Sequence, residues 1–326
     1  FLFLLDAVIL LITMVLKLRL QFTALAPRAT LQKLFQLGAL SAFFFFGHLG
    51  LREVFFAQLA GAGGAILIMI PAAWRSMAPW HGVPLARERV LWPVVRTYGK
   101  WAVPQSLLND LTGKVRPWLI RVFLSTEAVG IFGVAYTFIS ACKDILPIRT
   151  PGVIVPRKVS DPAALDRFYR YGTKYFVWLS LGIAAVASVT VPLAIILLFP
   201  HFRASIPLFL LLLPVLPLFA FIKPMTFVLV ALRRQKFLFS QSVVQTALSL
   251  ALILILLPFV GIAGLALAEV LVSAGVAGIR YRYLVRSGAI GSFSFRSLIA
   301  VDHEDKQNIR SFARQIVDAL PFKKFV

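Results

Sequence analysis

Acidic residues, cysteine, histidine and long polar stretches are what this sequence has least of. Only 13 Asp and Glu stand among 326 residues, against 34 Lys and Arg. The single Cys142 excludes an internal disulfide and any cysteine metal cluster. His48, His81, His201 and His303 are scattered, with no spacing suited to metal ligation, and no cofactor is expected. Strand-like alternation of apolar and polar residues is missing too, which excludes a β-barrel.

What is present is apolar and continuous. Hydrophobic residues make up 60% of the chain and charged residues 14%, with a mean hydropathy of +0.86. A soluble domain of this length does not have that composition; an all-α integral membrane protein, a polytopic helix bundle, does. Runs such as residues 178–199 hold no charge at all. The net charge of +21 could suit a nucleic-acid binder. Basic loops on the cytoplasmic side of a membrane account for it better, so no nucleic-acid partner is expected.

Nine spans are expected, over about 1–17, 33–48, 53–73, 98–124, 128–148, 175–199, 205–232, 237–257 and 261–283. Each approaches or exceeds the ~20 residues needed to cross a ~30 Å core. The connections alternate in charge. One set, from Lys17 through Arg75 and Arg157 to Arg233, Arg280 and Arg286, holds 21 basic residues. The other holds only Arg52 and Arg203. By the positive-inside rule the first set is cytoplasmic, Phe1 starts on the outer side and the C-terminus lies inside. The chain opens at Phe1 within a hydrophobic run, with no initiator Met or signal-peptide pattern, so N-terminal sequence is expected to be missing.

Four segments follow. Residues 1–73 carry three spans, and 74–97 form a Pro-rich cytoplasmic linker. Residues 98–286 carry six spans, and 287–326 form a cytoplasmic tail whose apolar residues from Ile309 to Leu320 have helical spacing. Asp161-Pro162 is a helix start, with Asp161 as N-cap. Leu165, Phe168, Tyr169 and Gly172 then share one face of a short amphipathic helix on the inner membrane surface.

The span at 98–124 is the exception to the apolar rule. Asp110, Lys114, Arg116 and Arg121 lie within it, and each costs roughly 2–4 kcal/mol at a bilayer midplane. At 100° per residue the polar residues form two stripes about 140° apart. Asp110, Lys114 and Arg121 make one; Gln105, Asn109 and Arg116 make the other. Neither suits lipid, and a wet or anionic cavity inside a bundle suits both. Asp110 and Lys114, at i,i+4, can pair; Arg116 has no acid at that spacing. Pro117 removes a backbone donor beside it and is expected to bend the helix.

Three stretches together resemble the C-terminal half of bacterial polysaccharide (oligosaccharide) flippases, of the multidrug/oligosaccharidyl-lipid/polysaccharide exporter superfamily. They are 123-FLSTEAVGIFGVAYTFISA-141, 223-KPMTFVLVALRRQK-236 and 257-LPFVGIAGLALAEVL-271. The match covers about Leu91 to Arg286. The resemblance implies a two-lobe fold of twelve helices, about nine of them present, with 98–124 the first helix of the second lobe. It further implies a transporter in the bacterial inner membrane and not an enzyme. The cargo it implies is a polyprenyl-diphosphate-linked oligosaccharide, flipped from the inner to the outer leaflet for polysaccharide biosynthesis by alternating access. Membrane lipids and polysaccharide-assembly proteins are the other partners the resemblance allows.

On that basis Arg116, Lys114, Lys223, Arg121, Asn109 and Gln105 are the substrate-binding candidates. A guanidinium can hold two phosphate oxygens at once, which ranks Arg116 first. Glu269 and Asp110 are the acids available for ion coupling or charge pairing, Glu269 with Lys223 among the pairings. Lys143 and Asp144 read as an interfacial pair of opposite charges. Two alternatives stand beside this reading. A cation-coupled multidrug exporter of the same superfamily would need an acid-rich cavity, whereas the embedded charge here is mostly basic. A membrane glycan polymerase or acyltransferase would need a large loop or an acid/His constellation at one interface.

Overall fold

The computed structural model describes residues 28–46, 50–78, 99–146 and 161–292, with Arg96 and seven positions between 5 and 16. The regular elements among them are helices, and the chain is an all-α polytopic membrane protein. Six helical segments of the described residues are long and apolar enough to cross a bilayer. The expected helix at 304–320, and most of the linker at 74–97, lie outside the described residues.

The chain divides into two compact units, residues 1–90 and 91–326. In the first, α1 (Arg28–Phe45) and α2 (Leu51–Met77) pack side by side as a hairpin. At the start of α2 the Gly50 N–H donates to the Glu53 carboxylate at 2.9 Å, so an acid satisfies a backbone donor at a helix N-terminus. Ile9, Ile12 and Leu16 bury against Ala62, Ile66, Met69 and Ala73 of α2.

The second unit contains α3 (Lys100–Phe123), α4 (Thr126–Ile145), α5 (Pro162–Leu198), α6 (Ser205–Leu212), α7 (Val215–Ala231), α8 (Gln235–Val260) and α9 (Ile262–Arg286). Its turns show why the residues at the helix ends are there. Leu124 ends α3 and Ser125 caps α4: the Ser125 backbone is extended and its hydroxyl accepts from Ala128 N–H at 3.1 Å. Gly261 joins α8 to α9 with φ +64°, a conformation that suits a residue without Cβ. Gly264 sits so close to α8 that a Cβ there would fall 2.5 Å from the Leu256 carbonyl oxygen. Both glycines belong to the Leu-Pro-x-x-Gly-Ile-x-Gly stretch, whose spacing therefore serves a tight turn followed by close helix contact.

One element differs from the expectation. The surface helix from Asp161 and the span at 175–199 are one continuous helix, α5, of 37 residues. No proline interrupts it before Pro192. Its first turns have burial of their own: Leu165 and Tyr169 pack with Met225, Val228, Leu229, Leu238, Leu284 and Ile290. At about 55 Å it exceeds the ~30 Å hydrocarbon core. The span expected over 205–232 is present as one apolar helical segment, Ser205–Ala231, with a local irregularity inside it. Around Leu213 and Pro214 the backbone switches to i→i+3 bonds, Leu213 to Leu210 and Leu216 to Leu213. Pro214 has no N–H to continue the ladder.

Around the main core, α6 lies centrally. Phe209 and Leu212 are fully buried with Ile120, Ile139, Ile195, Leu257 and Ala266. α3 packs along α8, α8 along α9, and α7 against α5 and α9. This leaves a polar space between α3, α4, α7, α8 and α9.

Candidate functional site

The space is a cavity of about 250 Å³ lined by Gln105 and Asn109 of α3, Lys143 of α4, Phe219, Lys223 and Thr226 of α7, Ser242 and Gln245 of α8, and Glu269, Ser273 and Arg280 of α9. Helical periodicity brings them together. Glu269, Ser273, Val276 and Arg280 stand at i, i+4, i+7 and i+11, which is one face of α9 over about 16 Å. Val215, Phe219, Ile222 and Thr226 repeat the same spacing on α7.

On α3 the two polar stripes part company. Gln105, Asn109 and Arg116 lie on the inward stripe, and Thr112, between them, bonds to Thr246 of α8 at 3.1 Å. Asp110, Lys114 and Arg121 are exposed on the other stripe and do not line the cavity. Among the described residues no ion pair joins Asp110 to Lys114, although their spacing permits one.

Arg116 does have an acidic partner, and it comes from the far end of the unit. Its Nη2 lies 2.6 Å from Glu269 Oε2, with the two side chains 13% and 16% exposed. Arg116 has no acid at i,i+4 within its own helix; a residue 153 positions away supplies the carboxylate. Glu269 pairs with Arg116, not with Lys223. The Arg116 Nε is buried and has no hydrogen-bond partner.

Three further cations face the same space. Lys143 turns away from the exposed Asp144 and lines the cavity, so the expected interfacial pair does not form. Lys223 reaches the cavity from α7. Arg280, 7% exposed, donates from Nε to Gln241 Oε1 at 2.6 Å and from Nη1 to Thr226 Oγ1 at 2.5 Å. Both acceptors are neutral, so they satisfy its protons without cancelling its charge. Lys143, Lys223 and Arg280 therefore share the cavity with one carboxylate among the described residues, that of Glu269, which Arg116 already pairs, an excess of three positive charges.

Such an excess in a half-buried polar space attracts an anion. It repels a cationic ligand.

No protein-family model, no curated protein and no solved structure matches the chain.

Sequence reasoning left Arg280 with the connection that follows α9 and set Lys143 against Asp144. The signal that finds Arg280 is its register: it stands eleven residues after Glu269, on the face that also carries Ser273. Tyr136 was likewise passed over. Its ring lies 5.6 Å from the Arg116 guanidinium and 5.5 Å from Lys143 Nζ.

Proposed function

We propose that this protein transports an anionic, phosphate-bearing lipid, and that the cargo is a polyprenyl-diphosphate-linked oligosaccharide flipped from the inner to the outer leaflet of the bacterial inner membrane. The observation that carries the reading is the charge balance of the cavity. Lys143, Lys223 and Arg280 line it without an ion-pair partner among the described residues, and its carboxylate is already occupied by Arg116. A diphosphate matches that excess in sign and in hydrogen-bonding capacity, since guanidinium and ammonium donors both bind phosphate oxygens. Ser242, Ser273 and Thr226 add hydroxyls to the same wall. The resemblance of three stretches to oligosaccharide flippases supplies the finer identity of the cargo. At about 250 Å³ the cavity suits a phosphate headgroup, and the glycan has to lie beyond it. Alternating access about such a site, with cations holding the diphosphate at mid-membrane, is the mechanism that follows. The same charge balance disfavours export of cationic drugs.

The test is flipping of a fluorescent polyprenyl-diphosphate disaccharide by the full-length protein in proteoliposomes, scored by a membrane-impermeant quencher. Lys223→Gln combined with Arg280→Gln should slow it at least about tenfold, the factor that 1.4 kcal/mol of lost interaction produces. Flipping at the wild-type rate by the folded double variant would overturn the reading.

A further inference from the structure

Four cation–ring contacts form one row. The Arg116 guanidinium lies 5.6 Å from the Tyr136 ring centre, and Lys143 Nζ lies 5.5 Å from the same ring. Lys143 Nζ is also 5.4 Å from the Phe219 ring, and Lys223 Nζ is 5.1 Å from it. Cation and ring thus alternate from Arg116 through Tyr136, Lys143 and Phe219 to Lys223, across α3, α4 and α7. All four separations fall within the ~6 Å over which a ring's quadrupole attracts a cation.

We propose that Tyr136 and Phe219 are positioning residues for an anionic ligand, their rings holding three cations in a row along which a phosphate group passes from one to the next. The proposal rests on the reading of the cavity as an anion site. Its physical basis is a conflict that carboxylates would otherwise resolve. Three like charges at close quarters repel, and an acid between each pair would hold them in place. Acids would also neutralise them and destroy the attraction for phosphate. An aromatic ring attracts a cation with no net charge of its own, so it steadies the row and leaves its positive charge for the ligand. Tyr136 and Phe219 stand where acids would stand in a structural ion-pair network. Glu269, the acid in the group, forms its ion pair at the Arg116 end. The row then grades from a neutralised end at Arg116 to an uncompensated end at Lys223, where Arg280 lines the same cavity.

The experiment is binding of geranylgeranyl diphosphate, and separately of inorganic pyrophosphate, to the full-length protein in lipid nanodiscs. Tyr136→Phe keeps the ring and should leave both dissociation constants within about twofold, whereas Tyr136→Leu should raise them about three- to tenfold, the range expected of a lost cation–π contact. Phe219→Tyr and Phe219→Leu repeat the comparison if Tyr136→Leu does not fold. Stepwise fluorination of the Phe219 ring preserves its shape while draining its quadrupole, and should weaken binding progressively; simple packing would leave that series flat. A flat series, or equal binding by the ring-keeping and ring-removing variants, overturns the proposal. Lys223→Gln separates this from failure of the cavity itself. If Lys223→Gln weakens binding while the ring variants do not, only the positioning role fails. If the unaltered protein binds neither probe, or Lys223→Gln changes nothing, the anion site fails with it. Binding of the lipid but not of pyrophosphate, with no response to the ring variants, assigns the affinity to the hydrocarbon chain and also overturns the proposal.

Discussion

Removing the carboxylate of Glu269 tests the central pairing of the second unit. Its Oε2 lies 2.6 Å from Arg116 Nη2, and both side chains are shielded from solvent, 13% and 16% exposed. Screening therefore discounts the pair far less than a surface bridge. Breaking one side of a buried ion pair costs about 3–5 kcal/mol, because the surviving charge keeps its desolvation without its partner. Glu269→Leu should reach that range, since Arg116 already carries a buried Nε with no acceptor. Glu269→Gln keeps an acceptor oxygen without the charge and should fall between Glu269→Leu and the unaltered protein. Arg116→Met combined with Glu269→Leu removes both charges, and the double variant should return to within about 1 kcal/mol of the starting stability. With each single variant at about 3 kcal/mol or more and the double within about 1 kcal/mol, the corresponding coupling energy is at least about 5 kcal/mol. A reversible unfolding titration in mixed micelles, followed by tryptophan fluorescence and far-ultraviolet circular dichroism, measures these variants together with Arg116→Met alone. Single variants that cost under about 0.5 kcal/mol, or a double variant equal to their sum, would refute the reasoning, because either result means that the two charges do not depend on each other.

Further outcomes follow from local geometry. Gly264→Ala should cost about 1–3 kcal/mol by the same titration, because its Cβ would sit 2.5 Å from the Leu256 carbonyl oxygen. Gly38→Ala, where nothing lies within 4 Å of the added methyl, should be neutral or slightly stabilising. Arg280→Met should cost about 1–3 kcal/mol by leaving Gln241 and Thr226 without their donor, and adding Gln241→Leu should recover part of it. In a Cys142→Ala background, Phe259→Cys should react with an impermeant maleimide from outside intact cells and Arg234→Cys only after permeabilisation. Both positions are exposed, so labelling of both from one side would sink the assigned orientation.

The helical, membrane-embedded character of the chain was legible because it depends on composition and on runs of apolar residues, both of which are local. The helix at 98–124 was legible for the same reason, as were its two polar stripes, fixed by 100° per residue. Which stripe faces inward was not, because that depends on α8 and α9, more than a hundred residues away. The partner of Arg116 was not legible for the same reason: an acid at i+4 can be read from spacing, and Glu269 at 153 residues cannot. Lys143 shows the converse error. Its neighbour Asp144 is adjacent in sequence, but successive helical residues point about 100° apart, so one faces the cavity and the other is exposed. The boundary between the surface helix and the span at 175–199 was misread because amphipathic and apolar segments can follow each other in one unbroken helix.

The length of α5 bears on motion. Beyond its apolar stretch the helix is held at its far end: Asp166 accepts from Gly291 N–H at 2.6 Å, and Ile290 is buried beside Leu165 and Tyr169. That fastening lies just past the end of α9, the helix that carries Glu269 and Arg280. α5 is thus a lever clamped to the helix that bears the charged wall. A tilt of a few degrees at mid-membrane sweeps its end through an arc of a few ångströms, about 27 Å being half its length. Because the clamp joins α5 to the residues that follow α9, such a tilt pulls on the end of the helix that carries Glu269 and Arg280.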